Sequence, residues 1–323
     1  MTAPTAQMIA DARAALDGIT IKTPVLPLTS ARWNGILPGV ASAMLKLELF
    51  QQAGSFKARG GYLGISGLSD AQRAAGVVAA SGGNHALAVS WAAQAAGVDA
   101  LITMPNATDP GRVEGCRALG ATVTLHDDMA DAFAAMNAAA EQGRVMLHPF
   151  EAPHMVLGSA TCGAEFAEQA PEADTFVIPV GGGGLIAGMA RAIKLARPHA
   201  TVIGVEPDGA DSLSQSFAAG APVRIEKVDT IADSLGAPLA MPLSYGIAKD
   251  HVDQLVRITD HQMLEAMQIY QDVLRITAEP ACAASLAALI GPLRDDLAGR
   301  HIGLIACGSN ITLSRYGQLM AAL

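Results

Sequence analysis

The sequence predicts an α/β chain with two doubly wound, open parallel sheets. Three observations carry this. Apolar runs of strand length alternate with helical segments along most of the chain. Several of those runs end in glycine turns that lead directly into a helix. The composition is 51% hydrophobic but only 4% aromatic, with much of the apolar share being alanine, which suits close-packed helices better than a β-sandwich. A length of 323 residues accommodates one large or two ordinary domains.

"AMLKLEL" (43–49) reads as the first strand, and "GVVAAS" (76–81) as a buried strand feeding the helical "NHALAVSWAAQAAG". "DALITMP" (99–105) is a strand. "DPGRVEGCRALG" (109–120) is a helix with Pro110 at its start and Gly120 past its end. The strand "ATVTLH" (121–126) precedes the alanine-rich helix "DMADAFAAMNAAAEQ" (128–142). "TFVIPV" (175–180) runs through a glycine loop into the helix "LIAGMARAIKLA", and "TVIGVEP" (201–207) is the next strand. Helices follow over 261–274 and 280–293, and "HIGLIAC" (301–307) is a late strand. The units cluster over about 76–149 and 175–310, with "HPFEAP" (148–153) as the crossing. The expected division is a large domain of 1–75 with 150–323 and a small domain of 76–149. No internal repeat or low-complexity tract is visible.

The net charge of −9 and the lack of any basic run exclude nucleic acid as a partner. Cys116, Cys162, Cys282 and Cys307 lack CxxC spacing and read as free cytosolic thiols. The N-terminus has no signal-peptide core, and no apolar run reaches the ~18–20 residues of a membrane span. A soluble, cytoplasmic protein without a membrane partner is expected.

Four short stretches carry chemistry. "VIPVGGGGLIAG" (177–188) is strand, glycines, helix. Its exposed N–H groups and the helix N-terminus form a socket for phosphate. Gly182, Gly184 and Ala187 also fit a dinucleotide pattern, with Glu206 near the usual acidic position. In "AASGGNHALAV" (79–89), Ser81, Gly82 and Gly83 can offer donors to a carboxylate, with Asn84 adding its amide. The same residues could simply cap a helix, and His85 alone reads as a packed histidine. In "GSFKARGGY" (54–62), Lys57 sits among small residues. An imine-forming lysine must spend part of its cycle uncharged, far from its free pKa of ~10.4. "ACGSN" (306–310) ends the last strand, where Cys307 by itself reads as a small buried hydrophobe.

Together "GSFKARG", "SGGNHALAV", "GGGGL" and "CGSN" occur in the order and spacing of the threonine dehydratase and serine racemase family, pyridoxal 5′-phosphate (PLP) enzymes of fold type II. "TPVLPLTS" (23–30), "GVEP" (204–207), "TIAD" (230–233) and "EPACAASLAAL" (279–289) extend the resemblance over nearly the whole chain. It implies an active site between the two domains, a homodimer, and Lys57 carrying PLP as an imine and serving as the catalytic base. Phe56 would pack beside the cofactor, and the small neighbours of Lys57 would let the ring lie close. Asn84 would bond the ring oxygen. Gly181, Gly182, Gly183, Gly184 and Leu185 would hold the phosphate, and Cys307 would face the pyridine nitrogen. Ser81, Gly82, Gly83, Asn84 and His85 would receive the substrate carboxylate. The implied reaction is dehydration and deamination of a small β-hydroxy amino acid such as L-threonine or L-serine, giving a 2-oxo acid and ammonia. A hydroxyaspartate dehydratase, a racemase and, further off, a β-replacement synthase are the alternatives within the fold. An oxidoreductase and a ligand-binding protein without turnover are the readings outside it.

The chain departs from the family pattern at three places. Gly82 stands where serine racemases place a serine serving the far face of the substrate, which argues against racemisation. Of the residues matching the family's cation site, Glu206 and the Ala210 carbonyl agree, but Ser212 replaces the second acid; a divalent cation, a monovalent cation or none are all open. Ser234 follows "TIAD" where glycine is usual. "HDDMADAF" (126–133) holds no cation to meet an acidic side chain, which disfavours hydroxyaspartate. No added C-terminal regulatory domain is expected.

Overall fold

The computed structural model describes residues 2–37 and 39–323. Its strands are β1 (Val25–Pro27), β2 (Ser42–Lys46), β3 (Val77–Ala80), β4 (Ala100–Pro105), β5 (Thr122–His126), β6 (Val145–Met146), β7 (Thr175–Pro179), β8 (Thr201–Pro207), β9 (Gln254–Ile258) and β10 (His301–Ile305). The helices are α1 (Ala6–Leu16), α2 (Lys57–Ser66), α3 (Asp70–Ala75), α4 (Asn84–Ala96), α5 (Pro110–Ala118), α6 (Met129–Glu141), α7 (Pro153–Gln169), α8 (Gly184–Ala196), α9 (Ser212–Ala219), α10 (Pro242–His251), α11 (Asp260–Ile269), α12 (Pro280–Ile290) and α13 (Leu313–Met320).

Two sheets result. The six-stranded sheet runs β1-β2-β10-β7-β8-β9 and is parallel except for β1. The four-stranded sheet runs β5-β4-β3-β6 and is wholly parallel. Strand order reverses between β3 and β6 in the small sheet and between β7 and β10 in the large one. Ligands of such sheets bind beyond the strand ends at these reversals. The turn after β3 is 81–83, the turn after β7 is 180–183, and the segment after β10 begins at Ala306. Three of the four chemistry-bearing stretches therefore sit at the reversals by topology alone.

The helices pack closely because their contact faces are small. A Cβ on Gly188 of α8 would lie 2.2 Å from the Val156 carbonyl oxygen of α7, and one on Gly163 of α7 would lie 2.7 Å from Met189 Cα. Helix α12 is buried from Pro280 to Leu289, and alanine lets it pack closely against both the large sheet and α11. Ile65 of α2 belongs to the apolar core under the small sheet, so α2 reaches from the large sheet to the small one.

Some element bounds differ from the sequence expectation for physical reasons. The strand expected over 43–49 stops at Lys46, and Glu48–Phe50 forms a 3-10 turn in which Glu48 bonds Arg59 and Thr23. The helix expected over 261–274 is α-helical to Ile269, then widens into a π-turn, Tyr270–Leu274, closed by Arg275 at φ 61°. Helix α7 has no counterpart in the sequence reading. Its run Gly158, Ser159, Thr161, Gly163 has poor helix propensity and is held by packing. Among the described residues no helix is long and apolar enough to cross a membrane.

Candidate active site

Lys57 is the first residue of α2, and Phe56 before it is already in helical conformation. The side chain enters a cavity of about 780 Å3 between the two sheets. Nζ donates to the Pro149 carbonyl oxygen at 2.8 Å, in the segment that returns from the small sheet. Burial pushes the ammonium pKa down to about 8, against a smaller pull upward from Glu279. About half of this amine is uncharged at pH 8.

The glycines around Lys57 face protein, not the cavity. A Cβ on Gly54 would meet Asn310 Oδ1 at 2.5 Å, one on Gly60 would meet Met155 Sδ at 2.7 Å, and one on Gly61 would meet the Ala88 carbonyl oxygen at 3.1 Å. These glycines let α2 pass close to α7 and α4 and so aim Lys57. That differs from the expected role of giving a ring access.

The loop 181–184 gives φ 57° at Gly181 and 83° at Gly183, both left-handed. Gly182, Gly184 and Leu185 line the cavity. Gly181 and Gly183 turn outward, against the Ser234 carbonyl and Ser244. The first-turn N–H groups of α8 have no intrahelical acceptor and carry the positive end of the helix dipole. Across the cavity lie Ser81, Gly82, Gly83, Asn84 and His85, at the start of α4. Ser81 Oγ accepts from Gly83 N–H at 3.1 Å, leaving its own proton free to donate.

Asn84 reaches the cavity with its amide committed. Nδ2 donates to Glu279 Oε1 at 2.6 Å and to Ser234 Oγ at 3.2 Å, while Oδ1 accepts from Asn310 Nδ2 at 2.7 Å. Ser234 is thus a partner of Asn84, which accounts for a hydroxyl at that position. Glu279 was missed as a site residue. Its carboxyl is pushed up by burial, opposed by Arg112, whose Nη2 is 3.6 Å from Oε2. Arg112 also donates to the Asn310 and Gly82 carbonyls. The segment "EPACAASLAAL" was the only sequence signal for Glu279, and nothing local marked Arg112.

His85 Nε2 lies 2.8 Å from the Leu147 carbonyl oxygen and donates to it; burial and then Lys57 hold the ring neutral. His148 is also kept neutral by burial and Lys57, with Nδ1 accepting from Glu151 N–H at 3.0 Å. Phe56 and Cys307 line the cavity near Lys57, and Phe56 N–H donates to the Cys307 carbonyl at 3.1 Å. Burial raises the Cys307 thiol well above its usual range, so it stays protonated.

The residues fit PLP. A half-buried lysine with lowered pKa, a glycine loop on a helix N-terminus and a neutral thiol face one cavity. The cation triad does not fit in the same way. It lies outside this cavity, and Glu206 accepts from Leu213 N–H and Ser214 N–H, both at 2.8 Å, and from Ser214 Oγ at 2.6 Å. The carboxylate caps α9. Asp211, near enough for its charge to raise the Glu206 carboxyl, is itself engaged, accepting from Gln215 Nε2 and Arg257 Nη1. Among the described residues no group of three acidic, histidine or cysteine side chains could hold a metal.

Comparison with known proteins agrees with this chemistry. The family described as "Pyridoxal-phosphate dependent enzyme" matches residues 18–308. The chain is 42% identical over 318 residues to phenylserine dehydratase of Ralstonia pickettii, covering 98% of this chain and 96% of that one. It is 35% identical over 300 residues to L-threonine ammonia-lyase of Thermotoga maritima, covering 92% of this chain and 74% of that one. Maize serine racemase superposes with a TM-score of 0.92 at 32% identity, over 99% of this chain and 98% of that one.

Proposed function

The chain belongs to the family of pyridoxal-phosphate dependent enzymes, and from that premise we propose that it converts a β-hydroxy amino acid to a 2-oxo acid and ammonia. The observation that carries the reading is the position of Lys57 Nζ in one cavity between two helix N-termini, those of α4 and α8. One suits a carboxylate and the other a phosphate. The names of the relatives support the same class.

Lys57 would hold the cofactor, with Gly182, Gly184 and Leu185 bonding its phosphate through N–H groups, Phe56 against its ring and Cys307 at its nitrogen. Gly181 and Gly183 would shape the turn. The cofactor, when bound, supplies a sink for the electron pair left as the Cα–H bond breaks. Cys307 is a neutral thiol and cannot hold a ring nitrogen protonated as a carboxylate would, which favours elimination over transamination. The start of α4 would bind the substrate carboxylate. Lys57 Nζ, uncharged once released, would take the α-proton. The Cβ–OH bond then breaks, and the proton on Nζ can leave with the hydroxyl as water. Hydrolysis of the released enamine gives the 2-oxo acid and ammonia.

Met129, Ala130, Phe133 and Leu239 give the cavity an apolar side. They support an apolar β-substituent, from the methyl of threonine to the phenyl of phenylserine. Arg224, exposed at the mouth, is what a second carboxylate would meet and is the observation favouring hydroxyaspartate. The family resemblance supports a homodimer, and the unpaired thiols support a cytoplasmic setting. The division into a large domain (1–75 with 150–323) and a small one (76–149) is supported by the two sheets. Screening serine, threonine, phenylserine and hydroxyaspartate of each configuration for 2-oxo acid release tests the function. No release from any of them would refute it.

A further inference from the structure

The segment 147–150, returning from the small sheet, touches each part of the site in turn. The Leu147 carbonyl accepts from His85 Nε2 at the start of α4, at 2.8 Å. The Pro149 carbonyl accepts from Lys57 Nζ at 2.8 Å. Phe150 packs on the glycine turn before α8, where a Cβ on Gly182 would lie 2.5 Å from its ring. His148 therefore stands between the turn suited to a carboxylate and the turn suited to a phosphate, one residue from the group that binds Nζ. The reacting carbons of an amino acid held between those turns lie in the same interval.

The ring of His148 is fixed in direction and in tautomer. Nδ1 accepts from Glu151 N–H at 3.0 Å and from Phe150 N–H at 3.4 Å. A backbone N–H only donates, and the ring is neutral, so its proton sits on Nε2. Phe150 packs against the ring in a T-shape with centroids 4.8 Å apart, and Phe133 of the apolar wall lies 6.1 Å away. Nε2 meets no acceptor among the described residues. His85 Nδ1 and His154 Nε2 also lack partners but are sealed from solvent; His148 Nε2 is not, and the residue lines the cavity. An oriented N–H thus faces the cavity with nothing to bond.

We propose that His148 Nε2–H donates a hydrogen bond to the β-oxygen of the substrate, orienting it and stabilising the charge that builds there as the Cβ–O bond breaks. The proposal rests on the elimination reading above. Of the acceptors in that reaction, the carboxylate and the phosphate have helix N-termini to meet them, and the β-oxygen has none. The step balances without a new reactant. Lys57 Nζ takes the α-proton, the pair of the Cα–H bond becomes the Cα–Cβ double bond, and the Cβ–O pair leaves with oxygen. The proton on Nζ completes the water. His148 keeps its own proton throughout, since a neutral imidazole is a very weak acid, and acts as a preorganised donor.

The test compares L-serine with β-chloro-L-alanine on the holoenzyme, because chloride leaves without a donor at oxygen. His148→Asn keeps an acceptor for the two backbone N–H groups but is too short to reach the cavity. It should lower kcat/KM for L-serine by about a hundredfold, the scale for removing one such donor, and leave β-chloro-L-alanine nearly unchanged. His148→Gln sets an amide N–H near the place of Nε2 and should recover part of the loss. Equal losses for both substrates, or no loss for L-serine, would overturn the proposal. If His148→Asn does not fold, His148→Phe is read in the same way. Nitrogen NMR of the histidine-labelled parent holoenzyme is independent of turnover and should show the proton of His148 on Nε2; a proton on Nδ1 would also overturn it. A parent that releases pyruvate from β-chloro-L-alanine but no 2-oxo acid from any β-hydroxy amino acid would defeat the elimination reading and this proposal together, whereas equal losses in an enzyme active on L-serine would defeat the role of His148 alone.

Discussion

Arg59 and Glu48 form a buried two-pronged pair, with Nε 2.9 Å from Oε2 and Nη2 2.8 Å from Oε1. Arg59 is two residues beyond Lys57 on α2, and Glu48 lies just past β2. Glu165 of α7 accepts from Arg59 and from Lys46 of β2. Two cations and two anions therefore balance where the large sheet, α2 and α7 meet. The start of α2, and with it the direction of Lys57, is fixed by charge as well as by glycine packing.

Removing one member should be severe. Arg59→Met leaves Glu48 and Glu165 sharing Lys46 alone, and uncompensated buried charge costs about 3–5 kcal/mol. Burial would raise the Glu48 carboxyl, but Arg59 outweighs this and holds it below its usual 4.5. That stability is present above the ordinary carboxylate range and is lost as pH falls through the lowered value. Urea melts at pH 7 and in acid should show a large gap between parent and variant at pH 7, narrowing in acid. Equal midpoints at pH 7 would refute the structural role.

Lys57→Ala should abolish both turnover and the visible absorbance of bound cofactor. With the lysine present, reloading cofactor-stripped protein should depend on pH. The uncharged amine attacks the aldehyde, and its pKa is pushed down to about 8. Reloading should accelerate as pH rises from 6 to about 8 and flatten above it. A rate still climbing steeply toward pH 10 would mean that the amine is not buried as described.

The phosphate socket is best probed at Gly184. Gly183 has φ 83°, so any side chain there strains the backbone whatever its charge. A Cβ on Gly184 would meet Phe150 backbone at 3.3–3.4 Å, a small adjustment. Gly184→Asp adds a carboxylate at the turn proposed to hold the phosphate, and at an effective dielectric of ~20 like charges at contact repel by several kcal/mol. PLP titration should show a large loss of affinity for Gly184→Asp and a modest one for Gly184→Ala. Similar affinities in the two variants would argue against charge as the cause.

Chelation should change nothing. The Glu206 oxygens already accept three bonds. Treatment with a strong chelator should leave the turnover and the melting temperature where they were. A clear drop in either, restored by a divalent cation, would show that Glu206, Ala210 and Ser212 rearrange to bind one.

What could be read from the sequence follows the range of the interaction. The sockets expected for phosphate and carboxylate are runs of consecutive residues, so Gly181–Leu185 and Ser81–His85 stand out as strings; of these Gly182, Gly184, Leu185 and Ser81–His85 line one cavity. Lys57 was visible through its neighbours, although those glycines serve helix packing. Glu279, Arg112 and Thr108 were not visible, because each acts on a segment far away in the chain: Glu279 on Asn84, Arg112 on Asn310, Thr108 on Gly82. Helix α7 was hidden for the opposite reason, since its glycines and β-branched residues speak locally against the helix that packing imposes.

Racemisation should be minor, and Thr108 changes how that is tested. Reversing configuration needs a proton returned on the face opposite Lys57. Gly82 offers none, and the Thr108 hydroxyl that fills its place is closed off from solvent. Misplacement of a proton donor can cost ~10²-fold, so breakdown to 2-oxo acid should dominate. Gly82→Ser alone is a poor probe, because its Cβ collides with Thr108 Oγ1. Gly82→Ser combined with Thr108→Ala opens the space and sets a hydroxyl on residue 82 itself. Incubation with L-serine and chiral chromatography of D-serine and pyruvate together should show a higher D-serine share in the double variant than in the parent. If the parent already makes comparable amounts of both, glycine at position 82 does not limit proton return and this reading of it is wrong.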